Sequence, residues 1–122
     1  MITVSYAQEV DHAGTYFWES RSDDALFTRK LVIYSNGHFT FDWYRDLPSK
    51  ANPPEYAWGK GTWTSKGKQI YFSTDPETEI DEKYTLNFTH TKGRWDAKKN
   101  RLILYESDIF WLRRFAITKQ SN

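Results

Sequence analysis

The sequence predicts an all-β fold, with one domain over residues 1–122 forming an antiparallel up-and-down barrel of about eight to nine strands. Three observations lead to this prediction. Phe, Trp and Tyr make up 18% of the 122 residues, and aromatic side chains are enriched in pleated sheets. Apolar and polar residues alternate along most of the chain, as expected of strands with one buried face. Short turn signals separate these runs, and a long meander removes its exposed edges by closing on itself.

The strands are placed by this alternation and by the turns between them. In residues 38–44, Phe39, Phe41 and Trp43 share one face. Asn36-Gly37 precedes this run and is the strongest short hairpin signal in the chain. Residues 46–56 hold three prolines and residues 74–82 are acidic, so both segments are expected to be loops. We expect strands at 3–6, 14–19, 26–34, 38–44, 57–64, 68–74, 83–95 and 101–106, with 109–117 as a candidate ninth.

Composition and charge narrow the classes of function. The chain has no cysteine, which excludes disulfides, cysteine-ligated metals and a cysteine nucleophile. Its 17 basic and 16 acidic residues give a net charge of +1, whereas a binder of phosphate backbones carries a clear positive excess. The N-terminal residues do not resemble a secretory signal, and no run approaches the ~20 apolar residues that span a bilayer. We expect a cytoplasmic protein with neither nucleic acid nor membrane as partner.

Two motifs between Leu31 and Phe72 carry a family resemblance. In "LVIYSNGHFTF" an apolar strand turns through Asn-Gly into an aromatic strand, and in "GKGTWTSKGKQIYF" a Gly-x-Trp strand turns through Gly into Ile-x-Phe. This order resembles the small lipocalin-like, or calycin-type, β-barrels. The resemblance implies a barrel that often binds a small apolar molecule and sometimes a protein. Lipocalins carry Gly-x-Trp on the first strand and an Arg on the last that packs over that Trp; here the corresponding stretches are Gly14-Thr15-Tyr16 and Arg113-Arg114.

The stretch "WLRRF" places an arginine on a predicted strand with two apolar faces. Because adjacent strand residues point to opposite faces, one of Arg113 and Arg114 is expected inside, and we favour Arg113, which shares a face with Trp111. A buried guanidinium needs a partner. In one interpretation Arg113 anchors a ligand carboxylate or phosphate. In the other it stacks on Trp18 or Tyr16 and closes one end of the barrel.

A ligand site is predicted from the side chains that share the inward phase. His90 is included because it alternates with Leu86 and Phe88. Whether these bulky side chains fill the interior or line a hollow is left open. The predicted ligand-binding residues are Phe39, Phe41, Trp43, Phe72, Tyr84, Phe88, His90, Trp111 and Arg113, with Ile70 and Leu86 beside them.

Signals for catalysis and metal binding are weak. His12, His38 and His90 lie far apart without the spacing of metal ligands, and there is no Gly-x-Ser-x-Gly elbow. We therefore expect no catalytic residue, no metal site and no cofactor, and an enzyme ranks third among the functions considered.

Charged segments suggest a second function class. Residues 75–82 hold five carboxylates and residues 92–101 hold five Lys and Arg side chains, so the molecule is a dipole if these segments lie at opposite ends. Tyr44, Tyr56 and Trp58 are expected to be exposed, and protein interfaces use such residues. The first hypothesis is a non-enzymatic protein that binds a small apolar, amphipathic or acidic molecule in a barrel cavity. The alternative is a protein-interaction module, such as an inhibitor or an immunity-type partner.

Overall fold

A computed structural model describes residues 11–47 and 53–121 of the chain. Within these ranges the fold consists of nine strands, a 3₁₀ turn at Phe110–Leu112 and their connections, with no α-helix. The strands are β1 (Gly14–Arg21), β2 (Leu26–Ile33), β3 (His38–Asp46), β4 (Glu55–Lys66), β5 (Gln69–Ser73), β6 (Tyr84–Leu86), β7 (Thr91–Asp96), β8 (Arg101–Glu106) and β9 (Phe115–Lys119).

Eight of the strands close into an antiparallel barrel, which confirms the predicted fold class. The ring runs β3-β2-β1-β9-β8-β7-β5-β4 and closes where β4 pairs with β3. β1 and β9 pair through Tyr16 opposite Lys119 and Phe17 opposite Thr118. The ninth strand, β6, lies outside the ring and runs parallel to β4 beside Trp58 and Gly59, on the part of β4 that β5 does not reach.

The antiparallel order sends successive connections to opposite ends of the barrel. The open end, as we call it, carries the β1–β2 turn, the last residue of β3 and the first residue of β4, segment 74–90 and the β8–β9 connection. The closed end carries the β2–β3, β4–β5 and β7–β8 turns and residues 11–13. His12 fills the closed end: it is buried, its Nε2 donates to the Gly67 carbonyl at 2.9 Å, and its ring meets Trp63 and Trp95 edge-on.

The core depends on large rings that lie opposite small residues. In the β3–β4 pair, Phe39 faces Gly61, Phe41 faces Gly59 and Trp43 faces Ala57. A Cβ at Gly61 would overlap the carbonyl oxygen of Ser73, and one at Gly59 would come within 2.8 Å of the Phe88 ring. The inward glycines therefore make the space that the phenylalanine rings occupy.

The predicted single strand over residues 83–95 is wrong. The chain leaves the sheet between β6 and β7, where residues 88 and 89 form hydrogen bonds to Thr74. Thr74 Oγ1 accepts from the Phe88 amide at 2.9 Å, and Thr89 Oγ1 donates to the Thr74 carbonyl at 3.0 Å. His90 then adopts a φ of 68°, in the left-handed region that a strand does not use.

The predicted ninth strand over 109–117 is also wrong in its first half. Ser107 Oγ accepts from the Ile109 amide at 3.1 Å just before the 3₁₀ turn at 110–112, and Arg114 after it has a φ of 60°. The strand begins only at Phe115. The predicted strand over 3–6 lies outside the described residues.

No helix within residues 11–47 and 53–121 has the length and apolar character needed to cross a bilayer.

Candidate ligand-binding site

A cavity of about 350 Å³ lies inside the open end of the barrel and is partly open to solvent. Three barrel strands, β2, β3 and β4, contribute to its wall together with β6 and the 3₁₀ turn. The lining residues are Phe27, Arg29, Trp43, Ala57, Leu86 and Trp111.

Local structure explains why these side chains meet. Phe27 and Arg29 lie four and two residues before the buried Leu31 on β2. Because every second residue of a strand points to the same side, they share its inward face. Trp43 lies opposite the small side chain of Ala57, so the space in front of its indole stays open. Leu86 reaches the cavity from β6, outside the ring. The 3₁₀ turn brings Trp111 back to the opening, where its ring centroid lies 6.2 Å from that of Trp43.

Arg29 is the charged member of this wall, and aromatic rings surround its guanidinium. The Cζ atom lies 4.4 Å from the ring centroid of Phe115, 4.8 Å from that of Trp111 and 5.1 Å from that of Trp18. Nη1 also donates to the Trp111 carbonyl at 3.2 Å. Cations are attracted to aromatic faces, so the rings fix the guanidinium without neutralising it.

The guanidinium has unused hydrogen-bonding capacity. Its Nε is buried and has no hydrogen-bond partner, and none of the ion pairs between described residues includes Arg29. Burial lowers the pKa of Arg29, but an arginine keeps its charge in proteins. A half-buried, charged donor group beside an apolar cavity is the chemistry that recognises an anion.

A packed cluster of phenylalanines forms the interior below the cavity. Phe39, Phe41, Phe72 and Phe88 are each at most 3% exposed, and Phe88 lies within 5.0 to 6.3 Å of the other three ring centroids. The barrel is thus filled toward the closed end and hollow at the open end.

The structure brings together some of the predicted site residues. Trp43 and Trp111 line the cavity, as does Leu86, and Phe41 contacts it from below with its centroid 6.1 Å from that of Trp111. Phe39, Phe72 and Phe88 belong to the packed core, as does Ile70.

Three predicted residues lie away from the cavity. Tyr84 packs outside the ring, with Lys60 Nζ 4.4 Å from its ring centroid, because β6 is not a barrel strand. His90 is on the surface, where its Nδ1 is 2.9 Å from Asp108 Oδ2, because the chain turns at this residue. Arg113 follows the 3₁₀ turn, is exposed and donates to the Ser107 carbonyl at 2.7 Å, so neither proposed role for it fits its position.

Phe27, Arg29 and Ala57 line the cavity but are not among the predicted site residues. The sequence does contain a signal for Arg29, because Phe27, Arg29, Leu31 and Ile33 occupy alternate positions and therefore share one face of a strand. It is Arg29, not Arg113, that stacks on Trp18.

A second aromatic cluster lies on the outer face. The ring centroids of Tyr44 and Tyr56 are 4.9 Å apart, and Tyr56 stacks on Trp58 at 5.2 Å with only 5° between the ring planes. Lys83 Nζ lies 5.1 Å from the Trp58 ring centroid. Tyr56 is 55% exposed, so this row is accessible to solvent at its open-end side.

Across the described part of the chain, no three His, Asp or Glu side chains are grouped as metal ligands. Comparisons of the chain with models of protein families, with curated proteins and with solved structures give no match.

Proposed function

We propose that this protein binds, without chemical conversion, a small amphipathic molecule in the cavity at the open end of its barrel. The observation that carries the proposal is Arg29, a half-buried cation that forms no ion pair with a described residue and lies in an otherwise apolar wall. The ligand would have an apolar body and one acidic group.

The size and lining of the cavity support this ligand class. A volume of about 350 Å³ falls at the lower end of the ~300–1,000 Å³ typical of small-molecule sites. Trp43, Trp111 and Phe27 offer flat apolar surface, on which a ring or a short alkyl chain would be buried. A carboxylate, sulfonate or phosphate at the edge of that body would accept from Arg29, which improves on the neutral contacts that Arg29 makes in the structure.

The eight-stranded antiparallel ring also supports the lipocalin-like class. In this proposal the ligand lies in the cavity inside the barrel, which is where the resemblance to lipocalin-like barrels implies a ligand. The arginine comes from β2 and not from the last strand.

A fluorescent anion tests the proposal directly. We expect 8-anilinonaphthalene-1-sulfonate to bind with one-to-one stoichiometry and to quench Trp emission, since two indoles line the cavity. Arg29→Gln should weaken binding about tenfold to a hundredfold, because a charge-assisted hydrogen bond contributes about 1.5–3 kcal/mol. The matched control is Arg21→Gln, which removes the same charge from an exposed side chain at the same end and should leave the dissociation constant unchanged.

A neutral probe separates the anion contact from a damaged cavity. N-phenyl-1-naphthylamine lacks the sulfonate, so its affinity should be nearly the same for wild type and Arg29→Gln. The proposal is wrong if Arg21→Gln weakens binding of the anionic probe as much as Arg29→Gln does, or if the folded wild type binds neither probe.

A protein partner is the second candidate, and the outer-face row of Tyr44, Tyr56 and Trp58, in which Tyr56 is exposed, favours it. Protein interfaces concentrate energy in such aromatic anchors. Two results together would support this candidate over the first. The wild type would bind neither probe, and Tyr56→Ala would abolish a complex that the wild type forms in cells.

A further inference from the structure

A second cavity, of about 300 Å³, lies at the closed end and differs from the first in its chemistry. It is formed between Lys68, which precedes β5, and the end of β7 with the turn that follows. Its lining is largely polar and basic: Lys68, Arg94, Trp95, Asp96, Ala97 and Lys98.

Three of these side chains are cations without a counter-ion in the described structure. Lys68, Arg94 and Lys98 are exposed and take part in none of the ion pairs found between described residues. Like charges that lie close to one another repel each other. Such an arrangement is relieved by a bound anion.

The acidic residue of the lining does not supply that anion. Asp96 Oδ2 accepts from Arg101 Nε at 3.0 Å, and this bond, with bonds from the backbone amides of Lys99 and Lys98, lowers the pKa of Asp96. The carboxylate is therefore ionised but already engaged by Arg101.

The frame of the cavity is fixed by contacts with the core. The Trp95 amide donates to the Lys68 carbonyl at 2.8 Å and ties the two sides of the cavity together. The Trp95 ring packs against His12 and Tyr16 at centroid distances of 6.4 Å. The backbone that carries Lys68 and Arg94 is thus held in place before any ligand arrives.

The charge around the cavity has the same sign. Among described residues, topology places seven basic side chains at the closed end or on the strand residues next to it, against two acidic ones. The basic residues are Lys66, Lys68, Arg94, Lys98, Lys99, Arg101 and Lys119, and the acidic residues are Asp11 and Asp96.

We propose that the closed-end cavity binds a small soluble anion of the phosphate class, contacted by Lys68, Arg94 and Lys98. A phosphate or pyrophosphate group carries several charges and several acceptor oxygens, so one group can satisfy three cations, which a single carboxylate does not. The site is a concave cavity beside an acidic residue and not a flat basic face, which favours a soluble anion over a lipid surface. This site is independent of the aromatic cavity, since the phenylalanine core lies between them.

Two-dimensional ¹H–¹⁵N NMR with inorganic pyrophosphate tests this site. We expect saturable shifts of the amides of Lys68 and residues 94–98. Lys68→Gln/Lys98→Gln should raise the dissociation constant at least tenfold. The matched control, Lys30→Gln/Lys83→Gln, removes the same charge away from the closed end and should change the dissociation constant less than twofold.

Three outcomes overturn the proposal. The first is equal weakening by the two double variants, which would indicate a response to net charge alone. The second is the same shifts with sodium chloride at matched ionic strength. The third is the absence of a response to pyrophosphate in a protein that co-sediments with phosphatidylserine vesicles, which would make the closed end a lipid-binding face. Because these readouts do not involve the aromatic cavity, they leave the naphthalene-sulfonate test unaffected.

Discussion

Tyr16 is a buried side chain whose hydroxyl links the barrel wall to the closed end. It is fully buried and donates to the His12 carbonyl at 2.7 Å. Burial and, to a lesser extent, the charge of Asp11 raise the pKa of Tyr16 far above its ordinary value. The neutral hydroxyl is therefore what the folded state requires at this position.

Replacement of Tyr16 by Phe should lower the free energy of unfolding by about 1–2 kcal/mol at pH 8, because the buried His12 carbonyl loses its donor. A raised pKa stabilises the fold fully below the unfolded value of about 10 and progressively less above it. The difference between wild type and Tyr16→Phe should therefore shrink by about 1 kcal/mol between pH 8 and pH 11. Urea unfolding at the two pH values measures both effects.

Tyr34→Phe serves as the control, because Tyr34 is 44% exposed and should give a difference near zero at both pH values. A Tyr16→Phe difference that stays constant or grows up to pH 11 would show that the hydroxyl ionises as easily in the folded state as in the unfolded one.

The arginine of the candidate site shows where inference from sequence stops at this scale. Alternation correctly predicts that Trp43 faces inward, because a strand fixes the direction of each side chain. The same rule applied to Arg113 fails, since residues 110–112 form a 3₁₀ turn and not a strand. Ser107 accepts hydrogen bonds from Ile109 before the turn and from Arg113 after it, and a local pattern of apolar residues gives no sign of either bond.

At the scale of elements, the pairing of β3 with β4 depends on glycines. Gly61→Ala should lower the free energy of unfolding by about 3 kcal/mol or more, because the new methyl group meets the Ser73 carbonyl and the Phe39 ring. Backbone cannot move aside as a flexible side chain can. Urea unfolding, followed by Trp fluorescence, measures the change.

The control for this substitution is Thr62→Ala, one residue further on the same strand and on its exposed face. It should change the free energy of unfolding by less than about 1 kcal/mol. If Gly61→Ala were equally mild, β5 would have to be able to shift away from β4, and the close pairing of the two strands would not be what limits this position.

The same scale explains which strands were predictable. β2 and β3 were placed within two residues at each end, because Asn36-Gly37 and a strict alternation define them locally. Residues 87–90 also alternate between apolar and polar side chains, yet they form no strand. Phe88 and Thr89 form hydrogen bonds to Thr74, which lies fourteen residues before Phe88. Contacts between residues distant in sequence determine the conformation of this segment. Alternation therefore predicts the interior position of Phe88 but not the surface position of His90.

For the whole molecule, the near-zero net charge conceals a separation of charge along the barrel axis. The acidic segment with Asp75, Glu77, Glu79, Asp81 and Glu82 lies at the open end, together with Asp23 and Asp24 of the β1–β2 turn. Lys98 and Lys99 lie in the β7–β8 turn at the closed end. The two ends of such a molecule therefore have electrostatic fields of opposite sign, and these fields fall off over about 10 Å at 0.1 M salt.

Ion-exchange chromatography at low salt and pH 7.5 detects this separation. We expect the wild type, with a net charge of +1, to be retained by both cation and anion exchangers, because each resin meets an end of opposite sign. Lys98→Gln/Lys99→Gln should elute from the cation exchanger at clearly lower salt than Lys30→Gln/Lys83→Gln, although both variants have lost two positive charges. Equal elution of the two variants would mean that the resin responds only to the total charge, and the two ends would then carry no distinct field. When both variants are loaded at high ionic strength, the difference in their retention should vanish, because salt screens the interaction between an exposed cluster and the charged resin.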